Sequence, residues 1–220
     1  MSKNETKRNK KPWPTKDAMA QIYEKNLWGG EVEFYSGSGS HDPKIVEPYL
    51  KVISEFLNAS ETPLTVCDLG CGDFNVGKHL VKHTKKYIAS DIVPDLIERN
   101  KKVFKAANLE FQCLDIAKDE LPAADCVIIR QVLQHLSNTE VQSVLDKLSN
   151  YKYVILTEHI PEGEFTPNID IISGQGIRLK KKSGLDVLAP PFNFKIKETK
   201  VLLCIKDDWK GVILTKVFEL

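Results

Sequence analysis

At 220 residues, with 42% hydrophobic and 28% charged residues, the chain has the size and composition of one soluble globular domain. Its 31 basic and 30 acidic residues leave a net charge of +1, which provides no field to hold the whole body on nucleic acid or membrane. No apolar run approaches the roughly 18 residues of a spanning helix. The start Met1-Ser2-Lys3-Asn4-Glu5 has no signal-peptide core, and five cysteines, an odd number, point to reduced thiols and a cytoplasmic setting.

In chain order, residues 1–15 are polar, with Lys3, Lys7, Arg8, Lys10 and Lys11 ahead of Pro12 and Pro14. Such a stretch is expected to be a disordered, solvated tail rather than a nucleic-acid arm, because Trp13 is its sole aromatic residue. From Lys16 to Leu27 apolar residues at 18, 20, 22, 23 and 27 predict a short helix. Trp28-Gly29-Gly30 and the run Phe34-Tyr35-Ser36-Gly37-Ser38-Gly39-Ser40-His41-Asp42 follow. Two readings stand for this segment: a flexible Gly/Ser linker, or a lid (16–42) whose aromatics cover a ligand. The stripe from Ile45 to Leu57 predicts a helix from Pro43 to Leu57 that covers a sheet face.

The stretch Leu64-Thr65-Val66-Cys67-Asp68-Leu69-Gly70-Cys71-Gly72-Asp73-Phe74-Asn75 carries the most information. A β-favouring run stops at an acid, placed here in the loop, and two glycines one residue apart precede a segment (Val76 to His83) expected to start a helix. A strand feeding a Gly-rich turn presents backbone N–H groups at the strand's C-terminal edge. The dinucleotide pattern G-x-G-x-x-G fails at Asn75, and the phosphate-loop pattern fails because Lys78 is followed by His79. Asp68, beside the first glycine, would repel a pyrophosphate and suits a cation.

Further on, Tyr87-Ile88-Ala89-Ser90-Asp91-Ile92 reads as a second strand ending in an acid, 23 residues after Asp68. Pro94 opens a helix through Leu96, Ile97, Val103 and Phe104. Leu109 to Ile116 reads as a third strand with Asp115 at its end, and Cys126 to Arg130 as a fourth. Ser137-Asn138-Thr139-Glu140 is a capping box for a helix to about Leu148. Tyr151 to Thr157 is a fifth strand. From 158 to 193 regular pattern disappears among Pro161, Gly163, Pro167, Gly174, Gly176, Gly184 and Pro190-Pro191. A loop this long, starting at a strand's C-terminal edge, is read as the substrate-facing segment, with Lys180-Lys181-Lys182 as a solvated turn. Lys200 to Ile205 and Gly211 to Phe218 form a hairpin. The expectation is an α/β fold with a doubly wound sheet, in a single domain over 16–220.

The D-x-G-x-G pattern, with acids at the ends of the next two strands, resembles the class I S-adenosylmethionine-dependent methyltransferases over roughly Glu61 to His159. The resemblance implies seven mostly parallel strands with an antiparallel C-terminal hairpin strand, and S-adenosylmethionine as cofactor with S-adenosylhomocysteine as product. It implies that Gly70, Cys71 and Gly72 cradle the cofactor with Asp68. Asp91 would accept from the ribose hydroxyls and Asp115 from the adenine amino group, with Ile92 and Ile116 against the ring. Arg130 and Gln131 would contact the methionine part or the substrate, and Trp28 would close over the site. His135, Glu158 and His159 are weak candidates for a base. His79 and His83 are read as surface histidines, and Cys67 and Cys71 have the wrong spacing for a zinc pair. The implied reaction is methylation of an oxygen or nitrogen nucleophile on an unidentified acceptor, most readily a small molecule; a protein side chain or terminus is the next candidate. A module that holds the nucleoside without turnover is the alternative from another class. No strong nucleic-acid signal and no membrane signal accompany it.

Overall fold

The computed structural model describes residues 12–31, 33–207 and 211–220. Seven strands form one sheet among them: β1 (Thr65–Leu69), β2 (Lys86–Asp91), β3 (Leu109–Cys113), β4 (Cys126–Arg130), β5 (Tyr153–Pro161), β6 (Glu198–Lys206) and β7 (Gly211–Glu219). Their spatial order is β3-β2-β1-β4-β5-β7-β6. The first five are parallel and β7 enters antiparallel between β5 and β6. Strand order reverses between β1 and β4, and at that switch point the loops after both strands diverge to leave a crevice. The expected fold class therefore stands.

Both faces of the sheet are covered because its central strands are apolar throughout. Val66, Ile128 and Ile155 pack with Tyr49, Ile53 and Leu57 of α3 (Pro43–Asn58) on one side. Cys67, Val127 and Val154 pack on the other with Met19 and Ile22 of α1 (Thr15–Glu24) and Val141 and Val144 of α5 (Asn138–Leu145). The remaining helices are α2 (Ser38–His41) and α4 (Pro94–Val103). Among the described residues no helix is long and apolar enough to cross a membrane.

Several expectations need correction. Residues 76–83 form two 3-10 turns, Gly77–His79 and Val81–His83, in place of an α-helix. Gly77 weakens an α-helix there, and a Cβ at that position would run into the Phe74 ring. Asp68 lies inside β1, not in the loop. β3 stops at Cys113, leaving Asp115 two residues beyond the strand, where its Oδ1 accepts from Ala117 N–H at 3.1 Å. β5 runs on to Pro161 because β7 pairs with it along its whole length, so Glu158 and His159 are strand residues and the loop begins later. That loop is also more ordered than its sequence suggested. It holds a 3-10 turn at Arg178–Lys181, and Asn168 bonds across it to Asp186 and Pro190.

Helix ends differ too. α1 begins at Thr15, within the expected tail, and stops at Glu24; of the rest of the tail, residues 12–14 precede α1 without regular structure and residues 1–11 lie outside the described residues. α4 ends at Val103, and α5 ends at Leu145 rather than near Leu148. Ser137 caps α5 as expected, but Ser137 N–H donates to Ser173 Oγ at 2.7 Å, so the reciprocal half of the capping box is replaced. Glu140 instead accepts from the hydroxyls of Ser137, Ser173 and Thr15.

Phe74 is fully buried and holds the first loop against the sheet, edge-on to Tyr87, Phe104 and Phe111 with centroids 5.8, 5.2 and 4.9 Å away. Phe74→Ala should cost about 3–5 kcal/mol of stability, measured by urea unfolding, because the surrounding rings cannot collapse into the vacated space. A loss below about 1 kcal/mol would contradict this account of the packing.

Candidate functional site

A continuous cleft of about 630 Å³ runs along the C-terminal edge of the sheet, from Asp115 at one end to Asp207 at the other. That volume is in the range of small-molecule sites. Asp68, Gly70, Cys71, Gly72, Asp91, Ile92, Asp115, Ile116, Arg130, Gln131, Trp28, His135 and His159 all line it. Glu158 does not contribute to its wall.

The floor is a set of buried carboxylates. Asp91 closes β2, and its two oxygens accept from Gly72 N–H and Val93 N–H, both at 3.1 Å. Gly72 has φ +56, and a side chain there would strike Ser36 Oγ, so glycine is required on conformational and steric grounds. Asn100 secures the same turn from α4 by donating to Gly72 O at 2.7 Å. Asp68 accepts from the Tyr87 hydroxyl at 2.8 Å. Burial pushes the Asp68 carboxyl up to about 7, against the Tyr87 hydrogen bond and nearby Arg130, which pull it down. Burial likewise pushes Asp91 up to about 6 in spite of its backbone donors. Two acids that burial disfavours as anions thus face the cleft.

The Gly/Ser segment after Trp28 is packed rather than loose. Asp73 accepts from Ser36 N–H at 3.0 Å, while Ser36 Oγ accepts from Asp73 N–H at 2.8 Å. Asp73 also pairs with His41, whose ring stacks on Tyr35 at 4.3 Å. Asn75 donates to Ser40 O at 2.7 Å, and the Arg130 guanidinium, 4.8 Å above the Tyr49 ring, donates to Gly39 O and Ser40 Oγ. Arg130 is therefore engaged with the covering segment as well as lining the cleft. Trp28 roofs the other side, edge-on to Tyr23 at 5.3 Å and tilted over His135 at 5.4 Å.

The three candidate bases separate by environment. His135 Nδ1 lies 3.1 Å from Gly174 O, and Nε2 lies 3.3 Å from the Gln134 amide. Burial lowers the ring to about 4. Glu158 points away from the cleft toward Arg178, accepts from Gln134 N–H at 2.9 Å, and is pushed by burial up to about 8. His159 faces the cleft, with Nε2 2.7 Å from Asp207 Oδ2. His83, half-buried, sits 3.0 Å from Asn58 Oδ1, and neither it nor the exposed His79 lines the cleft.

Sequence reasoning missed Asp73, Asn75, Ser36 and His41 as a clasp, and Asp207 altogether. Asp73 adjoins the glycine pair and could have been flagged; Asp207 has no spacing signal because only the hairpin brings it near.

The raised carboxyls have a consequence for stability. A group whose folded value exceeds its unfolded value contributes stability that is full below the unfolded value and lost as pH rises through the folded one. For Asp68 that window runs from about 4 to about 7, and for Asp91 from about 4 to about 6. His135, depressed instead, acts in the opposite sense, losing stability as pH falls below its unfolded value. Asp68→Asn should therefore narrow its stability gap to wild type, or reverse it in its favour, as pH rises from about 5 to about 7.5 in urea unfolding of the ligand-free chain. A gap that stays constant with pH would contradict the raised Asp68.

Residues 67–151 match the methyltransferase domain family. A 92-residue stretch is 33% identical to a malonyl-[acyl-carrier protein] O-methyltransferase from Acetivibrio thermocellus, covering 37% of this chain and 32% of that one. The chain thus matches about a third of that relative's length. Over the whole fold it superposes on the N-methyltransferase NodS from Bradyrhizobium japonicum in complex with S-adenosyl-l-homocysteine, with a TM-score of 0.65 at 13% identity, covering 92% of this chain and 99% of that one. It also superposes on magnesium protoporphyrin IX methyltransferase from Synechocystis with bound SAM, with a TM-score of 0.58 at 16% identity, covering 96% and 100%. At such identities these two show the fold. With its methyltransferase-domain match over residues 67–151 and β7 inserted antiparallel between β5 and β6, the chain has the fold seen in these S-adenosylmethionine-dependent methyltransferase structures.

Proposed function

We propose that the chain transfers the methyl group of S-adenosylmethionine to an oxygen or nitrogen of a small acceptor. The observation that carries this reading is the pair of buried acids, Asp68 on β1 at the switch point and Asp91 at the end of the neighbouring β2, both lining the cleft with Gly70 and Gly72. The donor set suits this cofactor. Its sulfonium and ammonium would be stabilised by carboxylates held in low dielectric, and its ribose hydroxyls would reach the free lone pairs of Asp91. The apolar side chains of Ile92 and Ile116 lie at the end where adenine would stack. Asp115, although bonded to Ala117 and paired with Lys118, retains acceptor capacity toward the adenine amino group. Cys71, held un-ionised by burial and the surrounding carboxylates, adds bulk without charge.

When bound, the cofactor supplies an electrophilic methyl; the chain aligns a nucleophile and excludes water. Segment 36–41 and Trp28 supply the exclusion, in the manner of the expected lid. The segment 162–197, with Gln175, Ile177 and Leu179 on the cleft, supplies the acceptor's side. A cleft roofed from both sides favours a small acceptor over a protein surface. The name of one similar structure, the magnesium protoporphyrin IX methyltransferase, agrees with that preference, whereas the malonyl-[acyl-carrier protein] O-methyltransferase is named for an acyl group carried on a protein.

Two measurements test the reading. Incubation with methyl-labelled S-adenosylmethionine and fractionated metabolite pools should give a labelled product; tight binding with no product from any pool would favour a non-catalytic module. In calorimetry Asp91→Ala should weaken S-adenosylhomocysteine binding by about 1–3 kcal/mol, since two hydroxyls lose a charged acceptor. Unchanged affinity would remove Asp91 from the site.

A further inference from the structure

We propose that His159 and Asp207 form an acid–base dyad at the acceptor end of the cleft, with His159 taking the proton of a hydroxyl acceptor and Asp207 positioning and stabilising the ring. This rests on the methyl-transfer reading and names the group that serves it.

The geometry comes from the β7 insertion. His159 lies on β5 opposite Ile213 of β7, and Asp207 lies where the chain leaves β6 for the hairpin turn. Asp207 N–H donates to Gly211 O at 3.1 Å, which turns the carboxylate toward β5. Nε2 and Oδ2 are 2.7 Å apart, and both side chains are largely withdrawn from solvent, at 14% and 13% exposure. Gly211 must be glycine for this approach, since a Cβ there would collide with the His159 ring. The backbone of His159 is fixed in turn by the Gln134 amide oxygen, which accepts its N–H at 2.8 Å. Both His159 and Asp207 line the cleft.

The other candidates cannot do this work. His135 has its ring nitrogens turned to Gly174 and Gln134, and burial makes it a poor proton acceptor near neutral pH. Glu158, the neighbouring β5 residue, faces the opposite side of the sheet, into the turn held by Arg178. His159 is depressed by burial and so is neutral and able to accept, while Asp207 opposes that depression and favours the protonated ring. The nearby Lys206–Glu162 pair is exposed and mutually neutralised.

The proton balance is simple. The acceptor's O–H bond breaks with its proton passing to the imidazole, and the oxygen electron pair forms the new O–C bond. The C–S bond breaks with its pair left on sulfur, and the imidazolium formed beside Asp207 later releases its proton to water. An acceptor that is already an anion or a free amine would not need the dyad. The site therefore implies an acceptor whose hydroxyl is un-ionised near neutral pH.

The test has two readouts on the full chain. In protein labelled with ¹⁵N-histidine, with the His159 ring assigned by its loss in His159→Gln, Asp207→Asn should weaken the ring's proton affinity about tenfold. An unchanged titration midpoint overturns the dyad, whatever the acceptor. With the hydroxyl acceptor found by methyl labelling, His159→Gln should lower kcat about 10²–10⁴-fold. Its calorimetric affinity for S-adenosylhomocysteine should stay within about twofold, as expected for a group that acts in the transition state and not in ground-state binding. Asp207→Asn should shift the acid limb of the kcat profile to lower pH. Retained kcat in His159→Gln, or lost S-adenosylhomocysteine binding, overturns the assignment. A wild-type chain that methylates nothing overturns the methyl-transfer reading itself, a result distinct from either.

Discussion

Carboxylates drawn out of water at one sheet edge are the constraint on which the rest of the structure depends. Asp68, Asp73 and Asp91 are each about 6–7% exposed and gather around the two glycines. Burying a carboxylate is costly unless hydrogen bonds or opposite charge offset it. Here the offsets are backbone N–H groups at Asp91, a phenol at Asp68, and the covering segment at Asp73. Two of the three remain uneasy as anions. A ligand that brings positive charge relieves that strain, whereas a pyrophosphate would aggravate it. On the proposed reading, the floor alone would therefore discriminate against a pyrophosphate, before any adenine contact is considered.

The same acids organise the roof. Asp73 both caps its own loop, by accepting from Asn75 N–H, and clasps Ser36 and His41. Arg130 completes the attachment from β4, and its charge also moderates Asp68 across the sheet. Cover and floor are thus one polar network. Gly37 has φ +84, a backbone conformation that favours glycine.

Much of this was legible. The glycine pair marked the turn, and the run Tyr87 to Ser90, closed by Asp91, located the end of β2. What resisted reading was whatever depended on partners distant in sequence. The end of β5 was invisible locally: Glu158, His159 and Ile160 look like a loop start until β7 is known to pair with them. With the strand extended, alternation places Glu158 with Val154 and Leu156 and His159 with Ile155, on opposite faces. After Asn75, local reading failed for another reason. The pattern of Val76, Leu80 and Val81 buries equally well on 3-10 turns, and periodicity alone cannot separate those from one α-helical turn.

The insertion of β7 also explains why the cleft has two chemically different ends. The parallel half, β3 to β4, offers the strand ends and N–H-rich turns where the proposed nucleoside cofactor would sit. Beyond β5 the parallel order stops, and an antiparallel strand can place a tight turn, instead of a helix, beside the sheet edge. A turn can bring Asp207 within 2.7 Å of a β5 side chain, which a crossover helix packed on the sheet face would not readily do. On the proposed reading, the reversal of one strand thus separates the donor end from the acceptor end, and loop changes around 162–197 would alter the second without disturbing the first.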